Sequence, residues 1–244
     1  MNVFVLPAYN EEANLPGLLA DLSARPALWE GGRVIVVDDG SDDRTTAVAR
    51  SHRGPLPIEV IRLTENQGPG RAFDIGFRRA LELAPADGLV VTLESDSTSD
   101  LDAVEEMIAT ARSGADVVLA SHHAGGELVN VRAHRRFLSR AAAYAIRRTS
   151  GLDARTVSSF FRVYRAGALR AAYGVHGESL IRESGFACKA EILIKLDRMG
   201  ARIAEVPVAL DWSRREGASK MRVLPTVGGY ARMMVRHATA KERV

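Results

Sequence analysis

Polar side chains that can bind a phosphorylated ligand form four clusters in the N-terminal half, each directly after a short apolar run. The clusters read P-A-Y-N-E-E from Pro7, D-D-G-S from Asp38, N-Q-G-P-G-R-A from Asn66 and E-S-D from Glu94. Carboxylates accept charge-assisted hydrogen bonds from hydroxyl and N–H groups. An acidic pair also supplies the oxygen ligands that a hard divalent cation takes. Together the four clusters indicate a nucleotide site.

Each cluster alone also has a purely structural interpretation. Asn10 is a good N-cap for a helix, and Asp-Gly-Ser is ordinary turn chemistry. The glycines after Asn66 suit a tight strand-to-helix turn, and an acidic pair after a strand can be another cap. The argument for a site therefore rests on finding all four, in order, on one predicted sheet.

Strand and helix signals alternate through the first 120 residues. Apolar runs predict strands at 3–6, 33–38, 58–63, 89–93 and 116–120. Caps and amphipathic spacing predict helices after Asn10, from Ser41 or Asp42 to His52, over 68–84, and from Asp100 to Arg112. This alternation indicates an α/β fold with a mostly parallel sheet flanked by helices. The ligand site of such a sheet lies beyond the carboxyl ends of its strands, where all four clusters fall.

The pattern changes after residue 120. It predicts a loop at 125–126, an arginine-rich helix to Arg148, a strand at 161–164, a helix over 186–199, a strand over 202–208 and a last helix over 225–237. No repeat or low-complexity linker divides the chain. We therefore expect a single catalytic domain over residues 1–221, followed by an amphipathic basic helix or tail over 222–244.

Composition restricts the class of protein. The chain has 244 residues, of which 46% are apolar and 26% charged, which excludes a disordered or fibrous protein. The single cysteine, Cys188, excludes an internal disulfide and favours a reducing cytoplasm, and we expect it to be a half-buried helix thiol. No secretory signal opens the chain, and no apolar stretch reaches the roughly 18 residues that span a bilayer. We expect a cytoplasmic protein.

Basic residues are concentrated around 131–148 and 212–243, while 94–106 is acidic. A basic surface can meet nucleic acid, anionic lipid or a phosphorylated substrate. Aromatic residues make up only 6% and no nucleic-acid motif is present, so we expect no nucleic-acid partner. The apolar face of the tail fits two interpretations: it lies on an anionic bilayer, or it packs onto the core with its arginines in solvent.

The order P-x-Y-N-E, V-D-D-G-S, N-x-G-x-G-x-A and an acidic pair resembles family 2 glycosyltransferases, which have the GT-A fold. Further stretches resemble the dolichol-phosphate and polyprenol-phosphate mannose synthases: Arg135 with Ser139, Ser159–Arg165, Lys189–Glu191, Glu205–Val208 and Arg214–Lys220. The match covers about residues 2–221. It implies an inverting transfer of a hexose from a GDP- or UDP-sugar to a polyprenyl phosphate, with peripheral membrane contact.

The resemblance also implies site residues. The donor would be bound by Pro7, Tyr9, Glu11, Asp38, Asp39, Gly68, Arg71, Glu94, Ser95, Asp96 and Lys189. Glu94 and Asp96 would hold Mg²⁺ or Mn²⁺, which stabilises the departing nucleoside diphosphate. Catalysis would involve Asp96, Arg135, Ser139, Arg162, Arg214 and Lys220. Among these, Arg135, Ser139, Arg214 and Lys220 would hold the acceptor phosphate, a task that suits arginine forks.

The acceptor determines the mechanism. A phosphate monoester has its second pKa near 6, so it is mostly a dianion at neutral pH and attacks without a general base. A hydroxyl acceptor would need a nearby Asp or Glu as base. Two alternatives to the lipid acceptor stay open: a soluble hydroxylated acceptor such as a secondary metabolite, and a non-catalytic relative that binds nucleotide-sugar.

Four positions depart from the family pattern. Glu94 replaces the first Asp of the usual D-x-D, and His122 stands where relatives carry an arginine. Thr156 replaces an Asp, and Lys189 replaces the Gln of the metal shell. A protonated lysine cannot ligate a metal. We hypothesise that Lys189 lies close to the diphosphate and weakens or partly replaces the divalent ion; the alternative is that it points to solvent.

Overall fold

The computed structural model describes residues 1–96, 99–122, 128–129, 143–157, 159–208, 210–211 and 223–239. Its strands are β1 Asn2–Ala8, β2 Arg33–Asp38, β3 Ile58–Arg62, β4 Leu89–Thr92, β5 Val117–Ser121, β6 Leu128–Val129, β7 Arg162–Arg165, β8 Ile203–Pro207 and β9 Leu210–Asp211. Seven of them form one sheet in the order β3-β2-β1-β4-β7-β5-β8, and β6 pairs with β9. In the large sheet β7 runs antiparallel to β4 and β5, and the other pairs are parallel.

Helices cover both faces of the sheet. They are α1 Leu15–Ser23, α2 Thr45–Ser51, α3 Pro69–Leu83, α4 Leu101–Arg112, α5 with residues 143–150, α6 Ala166–His176, α7 Cys188–Arg198 and α8 Val223–Thr239. Successive strand side chains point to opposite faces. In β1, Val3 and Val5 therefore join the core beneath α3, α6 and α7, whereas Phe4 and Leu6 join the core beneath α1 and α4.

The expected mostly parallel α/β sheet is confirmed. The five predicted strands of the first half all form, and their bounds differ from the expected ones by two residues at most. Asp100 caps α4 as expected, because its carboxylate accepts a hydrogen bond of 3.0 Å from the Asp102 N–H. Helix α6 was not predicted. Its buried positions are Ala166, Leu169 and Ala172, and small alanines give a weak amphipathic signal.

Two predicted caps were wrong. Helix α1 begins at Leu15 and α2 at Thr45, and neither has a side-chain cap. Asn10 instead adopts a left-handed backbone with a φ of 53°. Its N–H donates to Ser41 Oγ at 2.9 Å, and its Oδ1 accepts from the Asp42 N–H at 2.9 Å. Asn10 therefore joins the loops after β1 and β2 to each other, and it does not start a helix.

Helix α8 packs onto the core through its apolar face. Met233 is fully buried, and Tyr230 and Met234 contact the same cluster. The C-terminal end of the helix is held to α7, where Arg198 Nη2 donates to the His237 carbonyl at 2.8 Å. The apolar face of the described tail thus follows the core-packing interpretation, but Arg236 points inward to the buried Glu183 and Glu191 and not into solvent. The domain boundary at 221 stays a prediction. Among the described residues, no helix combines the length and apolarity needed to cross a membrane.

Cys188 lies at the start of α7 and is fully buried, so the expectation of a half-buried thiol was wrong. Burial raises the pKa of the thiol to about 12. At neutral pH the side chain is therefore a protonated, unreactive core group.

The buried imidazole of His237 makes stability depend on pH. Burial first, and then the positive charges of Arg198 and Lys195, lower the pKa of His237 from 6.5 to about 4. Below pH 6.5 the imidazole is protonated in the unfolded chain but stays neutral in the folded chain. The free energy of unfolding therefore decreases as pH falls from 6.5 toward 4. We expect His237→Gln to flatten the fall in Tm between pH 6.5 and 4.

Thermal unfolding of both proteins across that range tests this. Measurements at pH 8, where the imidazole is neutral in both states, separate any loss of packing in the variant. Parallel Tm curves for the two proteins would contradict the expectation.

Candidate active site

The two aspartates that end β2 organise the loops around them. Asp38 is fully buried, and its carboxylate accepts hydrogen bonds from the Ser41 N–H at 2.9 Å and from the Thr46 hydroxyl. Asp39 accepts from the backbone N–H groups of Gln67 and Gly68, at 2.8 and 2.9 Å. Asp38 therefore holds the turn into α2, and Asp39 holds the entry to α3. Burial raises the pKa of Asp39, and the two backbone bonds oppose that rise.

The loop after β1 is joined to the same edge. Glu11 is buried, its N–H donates to Thr45 Oγ1 at 2.8 Å, and its carboxylate accepts from Asn14 Nδ2 at 2.7 Å. Tyr9 and Pro7 are half-buried beside it. The ends of β1 and β2 thus form one continuous polar surface, as expected from the parallel pairing of Ala8 with Asp38.

Glycines allow α3 to begin against another backbone segment. Gly68 has a φ of 90°, and a Cβ on Gly68 or Gly70 would overlap the carbonyl of Ser184 or Glu183, respectively. The Gly70 N–H donates to the Ser184 carbonyl at 2.7 Å. Segment 182–184 therefore forms one wall of the α3 entry. Arg71, predicted to bind the donor, is half exposed and pairs with Asp74 at 2.9 Å.

Three predicted donor residues follow β4. Ser95 is buried, and its hydroxyl donates to the Pro7 carbonyl at 2.8 Å, which joins the ends of β4 and β1. Glu94 Oε1 accepts from the Phe160 N–H at 3.4 Å, and Asp96, two residues further along the chain, is buried. Carboxylate oxygens suit Mg²⁺ or Mn²⁺. Within the described residues, no third acidic, histidine or cysteine side chain completes a metal-binding group with them.

Lys189 lies in the protein interior beside this acidic pair. Its side chain sits at the start of α7, and the residue is only 7% exposed, so the solvent-facing alternative was wrong. The Nζ atom lies 4.4 Å from the centre of the Phe160 ring and 5.2 Å from that of Phe186, both favourable cation–π distances. Burial lowers the pKa of Lys189, and the negative charges of Glu94 and Asp96 oppose that shift.

Arg162, predicted to be catalytic, is only 1% exposed, and its guanidinium binds two backbone carbonyls and a tyrosine hydroxyl. Nη1 donates to the Lys189 carbonyl at 2.7 Å and to the Tyr164 hydroxyl at 3.2 Å, and Nη2 donates to the Val157 carbonyl at 3.1 Å. These bonds tie β7 to the start of α7. They fix the backbone that carries Lys189, so Arg162 makes the contacts expected of a residue that positions another side chain.

Thr156 places a neutral hydroxyl where the resemblance implies an Asp. Its hydroxyl lies 2.7 Å from that of Ser121 at the end of β5, and its N–H donates to Glu205 Oε1 at 2.7 Å. Both hydroxyls are buried. The chain therefore has a neutral side chain where the resemblance implies an acid, and at Lys189 a basic side chain where it implies a neutral one.

The structure brings the predicted donor residues of β1, β2, β4 and α7 to one edge of the sheet. Their roles in binding stay predictions. The predicted acceptor residues Arg135, Ser139, Arg214 and Lys220 lie outside the described residues. Sequence reasoning missed the wall formed by Glu183 and Ser184. The signal for it was indirect: Gly68 and Gly70 leave room for a neighbouring backbone, but they do not say which one.

Comparison with known proteins agrees with this geometry. The model of the family "Glycosyl transferase family 2" matches residues 3–172. An undecaprenyl-phosphate mannosyltransferase of Micrococcus luteus is 32% identical over 89% of this chain and 86% of its own length. A dolichol-phosphate mannosyltransferase of Pyrococcus furiosus is 30% identical over 89% of this chain and 58% of its own length. An undecaprenyl-phosphate 4-deoxy-4-formamido-L-arabinose transferase of Pseudomonas paraeruginosa is 30% identical over 75% of this chain. The chain spans 53% of that relative's length.

Solved structures show the same fold. The glucosyl-3-phosphoglycerate synthase of Mycobacterium tuberculosis, in complex with Mn²⁺, UDP-glucose and phosphoglyceric acid, superposes with a TM-score of 0.65. It is 20% identical, and the match covers 98% of this chain and 80% of that one. At this identity the likeness supports a GT-A fold and carries no argument about substrates.

The matched family model covers more than half of the chain, and the described residues form the mostly parallel α/β sheet expected of it. The chain belongs to glycosyl transferase family 2.

Proposed function

We propose that the chain transfers a hexose, with inversion, from a GDP- or UDP-sugar to a polyprenyl phosphate at the cytoplasmic face of a membrane. The donor part of this proposal is supported by one observation: four acidic side chains meet at one edge of the sheet, namely Asp38, Asp39, Glu94 and Asp96. The buried Lys189 lies beside the last two. The acceptor half is supported by the Micrococcus luteus relative, which is similar over most of both chains.

On the donor side, the base and ribose lie against Pro7, Tyr9, Glu11, Asp38 and Asp39. Each Asp39 oxygen accepts one backbone N–H group and keeps a second lone pair. Asp39 can therefore also accept a hydrogen bond from a ribose hydroxyl or a base N–H without releasing the loop into α3. Asp38 is fully buried and supports this edge from behind. Because these bonds also fix the carboxylates, the donor meets an edge that is already ordered.

Glu94 and Asp96 would hold Mg²⁺ or Mn²⁺ at the diphosphate, where such an ion stabilises negative charge on the leaving group. Lys189 contributes a fixed positive charge from the protein at the same place. Its ammonium is held over the Phe160 ring, and the Phe160 N–H binds Glu94. The lysine and the acidic pair are thereby kept in one arrangement.

On the acceptor side, a phosphate oxygen attacks the anomeric carbon directly. The new carbon–oxygen bond forms as the bond from the anomeric carbon to the diphosphate breaks, and the electron pair leaves with the nucleoside diphosphate. The phosphate is already mostly a dianion at neutral pH, so no side chain needs to remove a proton. Arg135, Ser139, Arg214 and Lys220 would hold this phosphate, and a peripheral membrane contact would present it.

The acceptor can be tested by supplying undecaprenyl phosphate in detergent with labelled GDP-mannose or UDP-glucose. We expect label to enter the lipid phase with one donor. Asp96→Asn should lower the rate by roughly 100-fold, because the metal ion that stabilises the diphosphate loses a charged ligand. Glu105→Gln, an exposed acid on α4, is the matched control and keeps the wild-type rate. Label that enters only a soluble acceptor would contradict the lipid proposal, and donor binding without any transfer would support a non-catalytic relative.

The Lys189 charge can be tested separately by calorimetric titration of GDP and UDP with Mn²⁺ and with EDTA. We expect the wild type to keep measurable binding in EDTA. Lys189→Gln should weaken that binding by about tenfold or more, because a charge-assisted hydrogen bond contributes roughly 1.5–3 kcal/mol.

Lys189→Arg retains the charge and should restore part of the affinity, which separates charge from packing. Unchanged affinity and unchanged metal dependence in Lys189→Gln would exclude a role for the lysine at the diphosphate.

A further inference from the structure

The α3 entry, at the proposed donor site, is built against a segment that carries no donor-binding residue of its own. Glu183 and Ser184 present their carbonyls to Gly70 and Gly68, with no room for a Cβ between them. Gly70 also donates to the Ser184 carbonyl at 2.7 Å. Since Asp39 binds the Gln67 and Gly68 N–H groups, a shift of segment 182–184 displaces the loop that Asp39 orders.

A buried carboxylate from α7 holds this segment. Glu191 is fully buried, and its Oε2 accepts from the N–H groups of both Arg182 and Glu183, at 2.8 Å each. Its Oε1 accepts from Lys195 Nζ at 2.6 Å, and the same Nζ donates to the Leu180 carbonyl at 3.0 Å. Glu191 is the acid of the K-A-E stretch matched to the family, and in this chain its described contacts are to the protein backbone and to basic side chains.

Helix α8 supplies the opposing positive charge. Arg236 donates through Nη2 to Glu183 Oε1 at 2.8 Å and through Nη1 to Glu191 Oε1 at 3.4 Å. Arg232 Nη2 lies 3.4 Å from the other Glu183 oxygen. Gly229 brings the helix so close that a Cβ there would lie 3.3 Å from Glu183 Oε2. One arginine of the C-terminal helix therefore bridges two buried carboxylates.

Removing Arg236 would leave the buried carboxylates of Glu183 and Glu191 with less positive charge to balance them. Buried charges are tolerated only when paired, so the acids would turn toward water or toward other donors, and segment 182–184 would move with them. We propose that Arg236 is a positioning residue for the donor site: through Glu183 and Glu191 it holds the wall against which the nucleotide-binding loop at Gly68–Gly70 is built. This inference rests on the proposed function.

Nucleotide affinity in Arg236→Gln tests the proposal, measured by calorimetry with GDP and UDP in the presence of Mn²⁺. We expect the Kd of the nucleotide that binds wild type to rise by about tenfold, since small displacements of a binding group are costly. Arg198→Gln is the matched control. Arg198 also ties α7 to α8, through His237, but has no contact in the described residues to Glu183 or Glu191. Its Tm should fall while its Kd stays within about twofold of wild type.

Two further variants separate positioning from general loosening. Arg236→Lys keeps a charge but loses the fork that spans both acids, so it should restore the affinity only in part. Arg232→Gln removes a more exposed contact with Glu183 and should therefore raise the Kd less than Arg236→Gln does. Because the contact is exposed, this variant should fold even if Arg236→Gln does not.

The outcomes are distinct. An unchanged Kd in folded Arg236→Gln, or an equal rise in Arg198→Gln, would overturn the positioning role while leaving the proposed function intact. A wild type that binds neither nucleotide would overturn both. A raised Kd confined to Arg236 and Arg232 supports the inference.

Discussion

Buried carboxylates that accept backbone N–H groups hold together the carboxyl edge of the sheet. Asp38 and Asp39 do this for the loops into α2 and α3, and Glu191 does it for segment 182–184. The half-buried Glu205 binds the Thr156 N–H. Loops at such an edge expose N–H groups that no helix or strand satisfies, and each needs a partner when it is buried. Acids that meet this need also concentrate negative charge where a ligand enters.

That concentration explains why the positive charges sit where they do. Lys189 faces the acids after β4, Lys195 and Arg236 face Glu191, and Arg62 donates to the Ser41 carbonyl at the mouth of the β2 loop. When basic side chains of the protein pair with these acids, less negative charge is left to bind a metal ion from solution. The neutral Thr156–Ser121 pair acts in the same direction. The described basic side chains therefore balance part of the negative charge at this edge from within the protein.

The sheet was predictable because its strands are uninterrupted apolar runs, and so was the position of the site, because polar clusters follow those runs. The side-chain partners were less accessible. Asn10 and Ser41 both resemble caps in sequence, yet they bind each other's loops, and this depends on how two strand ends are placed side by side. Arg162 was matched by motif to catalysis, and its described hydrogen bonds go to the carbonyls of Lys189 and Val157 and to the Tyr164 hydroxyl. Glu183 had no local pattern at all, because its partners lie 49 and 53 residues further along the chain.

The thiol of Cys188 allows local opening of the folded protein to be measured. Cys188 is the single cysteine of the chain, it precedes Lys189, and its thiol is sealed in the core beneath α7. A thiol reagent reaches it only when this region separates transiently from the sheet, so the rate of covalent modification follows the population of that open state. A ligand that binds at the acidic edge and stabilises the closed state should slow the modification. Local opening of the site can thus be followed without adding a foreign label.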